Sequence, residues 1–144
     1  MKAERARLVR LNRLERLRAI ARQGALAEAG KAESRLAQLE QLGQRTTTLI
    51  SDYALRQDAA CGGDLASQRV YLGELQRVVE RNRADIARAR AAADARAAEA
   101  AAAERSRAAV ETRAQATQAR IDRHVAAAGV PLGARSPRKD DASS

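Results

Sequence analysis

The two prolines of this 144-residue chain, Pro131 and Pro137, both fall in its last fourteen residues, so nothing before them forbids continuous helix. From Ala3 to Asp58 the only glycines are Gly24, Gly30 and Gly43, isolated in a helix-forming background. Each weakens a helix by about 1 kcal/mol without ending it. The stretch Ala59-Ala60-Cys61-Gly62-Gly63-Asp64 holds the one paired-glycine break, able to adopt the positive φ that terminates a helix. Ser67 supplies an N-cap for a second run that only Gly73 interrupts, and Gly129 with Pro131 stops it. The chain thus reads as a helical hairpin over residues 1–128, made of a helix over 3–58, a turn over 59–66 and a helix over 67–128. Residues 129–144, with Pro137, four consecutive charges and a Ser-Ser end, read as a disordered tail. Each helical run would extend roughly 85 to 95 Å at 1.5 Å per residue, and matched lengths around a short turn predict an antiparallel pair.

The fold class expected is all-α, an extended antiparallel two-helix coiled-coil hairpin. Hydrophobic residues make up 45% of the chain, but most are alanine, and the aromatic residues are Tyr53 and Tyr71 alone. A globular core needs large side chains to bury area worth roughly 25 cal/mol per Å², and this chain has few. Whole-chain disorder is the competing reading of 31% charged residues. Alanine, leucine and arginine are strong helix formers, however, and the charges of both signs are interspersed.

Periodicity supports the hairpin. In the second run Leu72, Leu75, Val79, Asn82, Ile86, Ala89, Ala93, Arg96, Ala100, Ala103, Arg107, Val110, Ala114, Thr117, Ile121 and His124 keep a 3-4 spacing, a sustained heptad seam. In the first run the corresponding stretch is Leu39, Leu42, Thr46, Leu49 and Tyr53, flanked by Leu36 and Ile50. Toward the other end Leu8, Leu11, Leu14, Leu17 and Ile20 recur every third residue, a period that walks around a helix and leaves apolar side chains on more than one face. That part should need a partner besides its own second strand.

Catalysis finds little purchase in these residues. There is one histidine, His124, with no second ligand spaced to help it, one cysteine, Cys61, and no glycine-rich phosphate loop. No cofactor and no metal are expected. A single cysteine fits a reducing compartment. The start lacks an apolar stretch of signal-peptide length, and charges break up the alanine-rich stretch 87–103. The location expected is cytoplasmic, peripheral to a membrane through a partner.

The formal charge is +9, and 24 of the 27 basic residues are arginines. An arginine- and alanine-rich composition is also what a GC-rich genome would encode, which halves its weight as a sign of nucleic-acid binding. The charge is concentrated at the start, where Lys2, Arg5, Arg7, Arg10, Arg13, Arg16, Arg18 and Arg22 face only Glu4 and Glu15. A solvated helix face accounts for this as well as three functional readings do: insertion into an acidic protein cavity, phosphate-backbone binding, or adherence to an anionic membrane surface. The lack of nearby aromatics argues against single-stranded nucleic acid. The interspersed leucines favour a protein.

Two local stretches carry a family resemblance. One is Leu42, Thr46, Leu49 and Tyr53; the other is the run Val70-Tyr71-Leu72-Gly73-Glu74-Leu75-Gln76-Arg77-Val78-Val79, followed by Asn82 and Ile86. With its length and its basic, leucine-containing start, the chain resembles the FliJ family, the small coiled-coil component of the bacterial flagellar type III export apparatus, and its virulence-secretion counterparts. The resemblance implies a non-enzymatic protein of flagellum biogenesis, and through it chemotaxis, that couples the export ATPase to the FlhA export gate and assists export-chaperone handling. It implies gate contacts at Leu42, Thr46, Leu49, Tyr53, Tyr71, Leu75, Val78 and Asn82, and ATPase contacts at Arg5, Arg7, Arg10, Arg13 and Arg16. The chain departs from the family in having alanine where the second helix usually has further aromatics. A basic coiled-coil protein on nucleic acid and a homodimeric scaffold are the alternatives from other classes.

Overall fold

The computed structural model describes residues 1–57 and 65–129, which form two α-helices, α1 (Lys2–Gln57) and α2 (Leu65–Gly129), with no strand among the described residues. The helices pack antiparallel, because partners further along α1 meet partners earlier in α2: Glu40 reaches Arg90, and Tyr53 reaches Tyr71. The reversal expected over 59–66 falls largely on residues 58–64, which with 130–144 lie outside the described residues; so do Cys61, Gly62, Gly63 and most of the expected tail. Helix α2 begins at Leu65. Ser67 is therefore a residue of its first turn and not its cap, a shift within the fraying range of helix ends.

The described chain forms two compact units, residues 20–104 on one hand and residues 1–19 with the segment from Arg105 onward on the other. In the first, the α2 seam follows the expected spacing through Asn82, Ala89, Ala93 and Ala100, all buried. Arg96 departs from it and stands exposed, paired outward with Glu99 at 3.1 Å. Glu99, three residues on, offers it a partner at the surface.

The α1 seam corrects the sequence expectation. It runs through Ala25, Ala29, Ala32, Leu36, Leu39, Gly43, Thr46, Ile50 and Tyr53, with Leu42 and Leu49 turned outward at 47% and 46% exposure. Both patterns keep a 3-4 spacing, and size alone favours the leucines. What decides is the fit opposite. Asn82, 5% exposed, donates from Nδ2 to the Leu39 carbonyl at 3.0 Å, and its Oδ1 occupies the space where a Gly43 side chain would begin. A Cβ at Gly43 would stand 2.5 Å from that oxygen and 3.7 Å from Ile86 Cδ1. Gly43 is thus a notch cut for Asn82. A buried carboxamide needs a partner, and a helix carbonyl laid bare by the missing side chain provides one. Thr46, also buried, satisfies its hydroxyl within α1 by donating to the Leu42 carbonyl at 2.8 Å.

In the second unit Val110, Ala114, Thr117 and Ile121 are buried as the spacing predicts, while His124 is exposed. Thr117, wholly buried, donates to the Arg113 carbonyl at 2.9 Å. Facing them, α1 turns Glu4, Leu8, Leu11 and Glu15 inward, each half-buried. Arg107 keeps its seam position because acids meet it there: Glu111 at 2.9 Å from its own helix and Glu15 at 3.7 Å from α1.

Candidate functional site

With alternate seam residues written a and d, the positions flanking the seam are e on one side and g on the other. Two antiparallel helices bring e against e and g against g. In the unit of residues 20–104, Glu40 and Arg90, both e, bridge at 3.2 Å and mark one flank. That flank also holds an open groove of about 660 Å³ between Glu40, Gly43, Thr47, Asn82, Arg83 and Arg90. Leu42 and Leu49 on α1, and Tyr71 and Val78 on α2, are all g residues at seven-residue spacing, which puts them together on the opposite flank.

These four side chains are 40–47% exposed, an apolar strip along one edge of the unit. The ring of Tyr71 lies against Tyr53, centroids 4.8 Å apart and planes tilted by 58°, an arrangement favoured by the ring quadrupoles. Tyr53 and Leu75 are half-buried. The eight residues that the resemblance assigns to gate contact are therefore divided by the fold. Leu42, Leu49, Tyr71 and Val78 offer apolar area, and Tyr53 and Leu75 border it. Thr46 and Asn82 are enclosed in the seam, so their side chains hold the helices together and present no surface.

The other unit differs in its electrostatics. Residues 1–19 and 105–129 carry twelve basic side chains against four acidic ones, whereas residues 20–104 carry twelve of each. The acids of the basic unit are occupied or turned inward: Glu15 and Glu111 meet Arg107, Asp122 accepts from Gln118 at 2.8 Å, and Glu4 has Oε2 buried. By contrast Arg5, Arg7, Arg10, Arg13 and Arg16 are exposed, and none forms an ion pair with a described residue. Uncancelled cations set on a scaffold with its own acids spent produce an outward positive field.

Apolar residues share this surface. Val9 is 50% and Leu17 64% exposed. The three-residue leucine repeat thus breaks as its period requires, with Leu8 and Leu11 toward the seam and Leu17 on the far side. Val9 was not legible in that repeat, although its seven- and eight-residue offsets from Lys2, Arg16 and Leu17 place it on the same outer stripe.

Among the described residues no group of three His, Cys, Asp or Glu side chains is placed to hold a metal ion, and no helix is long and apolar enough to cross a membrane. No family model, curated protein or solved structure matches this chain.

Proposed function

We propose that this chain is a FliJ-like coiled-coil component of a bacterial flagellar export apparatus, acting through its surfaces and not through chemistry of its own. The observation that carries the reading is the exposed apolar flank of Leu42, Leu49, Tyr71 and Val78. A two-helix hairpin gains most by burying its largest side chains, and here four of the largest border the seam yet stay in water. Aromatic and aliphatic side chains clustered on a rigid helical edge are what a protein partner buries as its binding centre. In this reading the flank meets the FlhA export gate, with Tyr53 and Leu75 at its border, while Arg5, Arg7, Arg10, Arg13 and Arg16 enter an acidic cavity of the export ATPase. Export chaperones are further protein partners, and the protein works in the cytoplasm beside the inner membrane.

The test is capture of the purified export ATPase and the cytoplasmic domain of the gate from the same organism. The paired substitution Leu42→Ser with Leu49→Ser should abolish gate capture and leave ATPase capture intact, with helical content unchanged. If neither protein is captured at low salt, the reading fails.

The charge segregation favours a second reading, a coiled coil held on duplex nucleic acid by phosphate contacts. Its mark is duplex affinity that falls steeply from low to physiological salt, together with indifference to the Leu42 and Leu49 substitutions.

A further inference from the structure

We propose that the outward face of α1 in the basic unit is a docking surface for an anionic phospholipid bilayer. Lys2, Val9, Arg10, Arg13, Arg16 and Leu17 lie on the side of the helix opposite Glu4, Leu8, Leu11 and Glu15, and all six are exposed. Their spacing, in steps of three, four and seven, puts them on one stripe, which from first to last runs about 23 Å at 1.5 Å per residue. A helix lying flat would set the whole stripe against a surface.

Three observations fit this occupant. The first is sign: the only acidic residues in the first 27, Glu4 and Glu15, both point to the seam, so no acid interrupts the stripe. The second is that the four cations of the stripe form no ion pair with a described residue and are free to meet headgroup phosphates. The third is chemistry. Val9 and Leu17 stand among those cations at 50% and 64% exposure. A phosphate backbone would use the arginines and leave these two in water. A bilayer interface takes both, charge at the headgroups and aliphatic area a few ångströms deeper, while arginine stems lie along the boundary with their guanidinium groups outward. Two aliphatic side chains give reversible adherence only, with electrostatic attraction supplying the remainder. Lipid adherence requires no export ATPase and is tested without it; because both contacts use Arg10, Arg13 and Arg16, the bilayer and the ATPase cavity are occupants of this face in turn and never together.

The experiment is flotation of the full chain with phosphatidylcholine vesicles and with vesicles that also contain phosphatidylglycerol, at low and at physiological salt. The chain should float with the anionic vesicles alone, and less as salt rises. Reversing the stripe with Arg10→Glu, Arg13→Glu and Arg16→Glu should weaken binding by about a hundred-fold or more. Reversing Arg77→Glu and Arg81→Glu, exposed in the electrically balanced unit, should leave it nearly unchanged. Val9→Ser with Leu17→Ser, which disturbs neither charge nor seam, should weaken it several-fold at physiological salt. Circular dichroism checks that each variant keeps its helical content. Absence of flotation, equal flotation with neutral vesicles, or insensitivity to the Val9 and Leu17 pair overturns the proposal. Retention on duplex DNA without flotation would instead assign the stripe to phosphate backbones.

Discussion

The two units of this hairpin solve one problem in different ways. Each must admit polar groups to a seam too poor in large side chains to be sealed by hydrophobic burial alone. Besides the Arg22–Glu104 pair at their border, residues 20–104 admit an uncharged group, Asn82, and answer it with a main-chain carbonyl exposed by the notch at Gly43. The basic unit admits a charge, Arg107, and answers it with two carboxylates, Glu15 and Glu111. The first solution depends on shape and is indifferent to salt. The second depends on charge and weakens when ions screen it. A neutral carboxamide bonded across the seam also penalises sliding, since a shift by one heptad would strand it against a neighbour with no opening. Polar seam residues of this kind fix register in coiled coils at some expense of stability.

The largest expected effect lies at the notch. Gly43→Leu should lower stability by about 3 kcal/mol through overpacking against Asn82 and Ile86, read as a drop in the denaturation midpoint followed by circular dichroism. Gly24→Ala, at a glycine with nothing within 4 Å, should raise stability instead, by about 1 kcal/mol from helix propensity. If both glycines responded alike, the notch would have no structural meaning. Asn82→Ala should cost about 1 to 2 kcal/mol, because it removes the bond to the Leu39 carbonyl and leaves space behind. Its loss should be the same at low and high salt. Arg107→Gln should have the smallest effect, about 1 kcal/mol or less at low salt, and should fade as salt is added. Equal salt dependence for Asn82→Ala and Arg107→Gln would erase the distinction between the units.

Much of the fold was legible in the residues. The α2 seam followed from spacing because its positions are set by an unbroken 3-4 pattern, and alanine at those positions still marks the face. Its exceptions are Arg96 and His124, both exposed: Arg96 turned to Glu99, whereas Arg107 stayed in, where Glu15 and Glu111 meet it. The α1 seam runs one residue beyond Leu42 and Leu49, through Gly43 and Ile50. Bulk suggested that the leucines should be inside, and nothing within α1 reveals that Asn82, forty residues along the chain from Leu42, requires the glycine beside it. Spacing thus hid Leu42 and Leu49 as surface residues, although the family resemblance had named both, with Tyr71 and Val78, as contacts. The charge at the start was plain from sequence. That its acids would all be drawn inward was not, because it depends on which side of α1 faces α2.

The chain has no Phe and no Trp, and its two tyrosines, Tyr53 and Tyr71, touch one another. Near-ultraviolet absorbance and intrinsic emission therefore both originate at a single spot, in the electrically balanced unit beside the apolar flank. The molecule carries a built-in optical reporter. A ligand covering Leu49 or Val78 should change tyrosine quenching without any label, whereas an event confined to the arginine-rich extremity should leave the signal still.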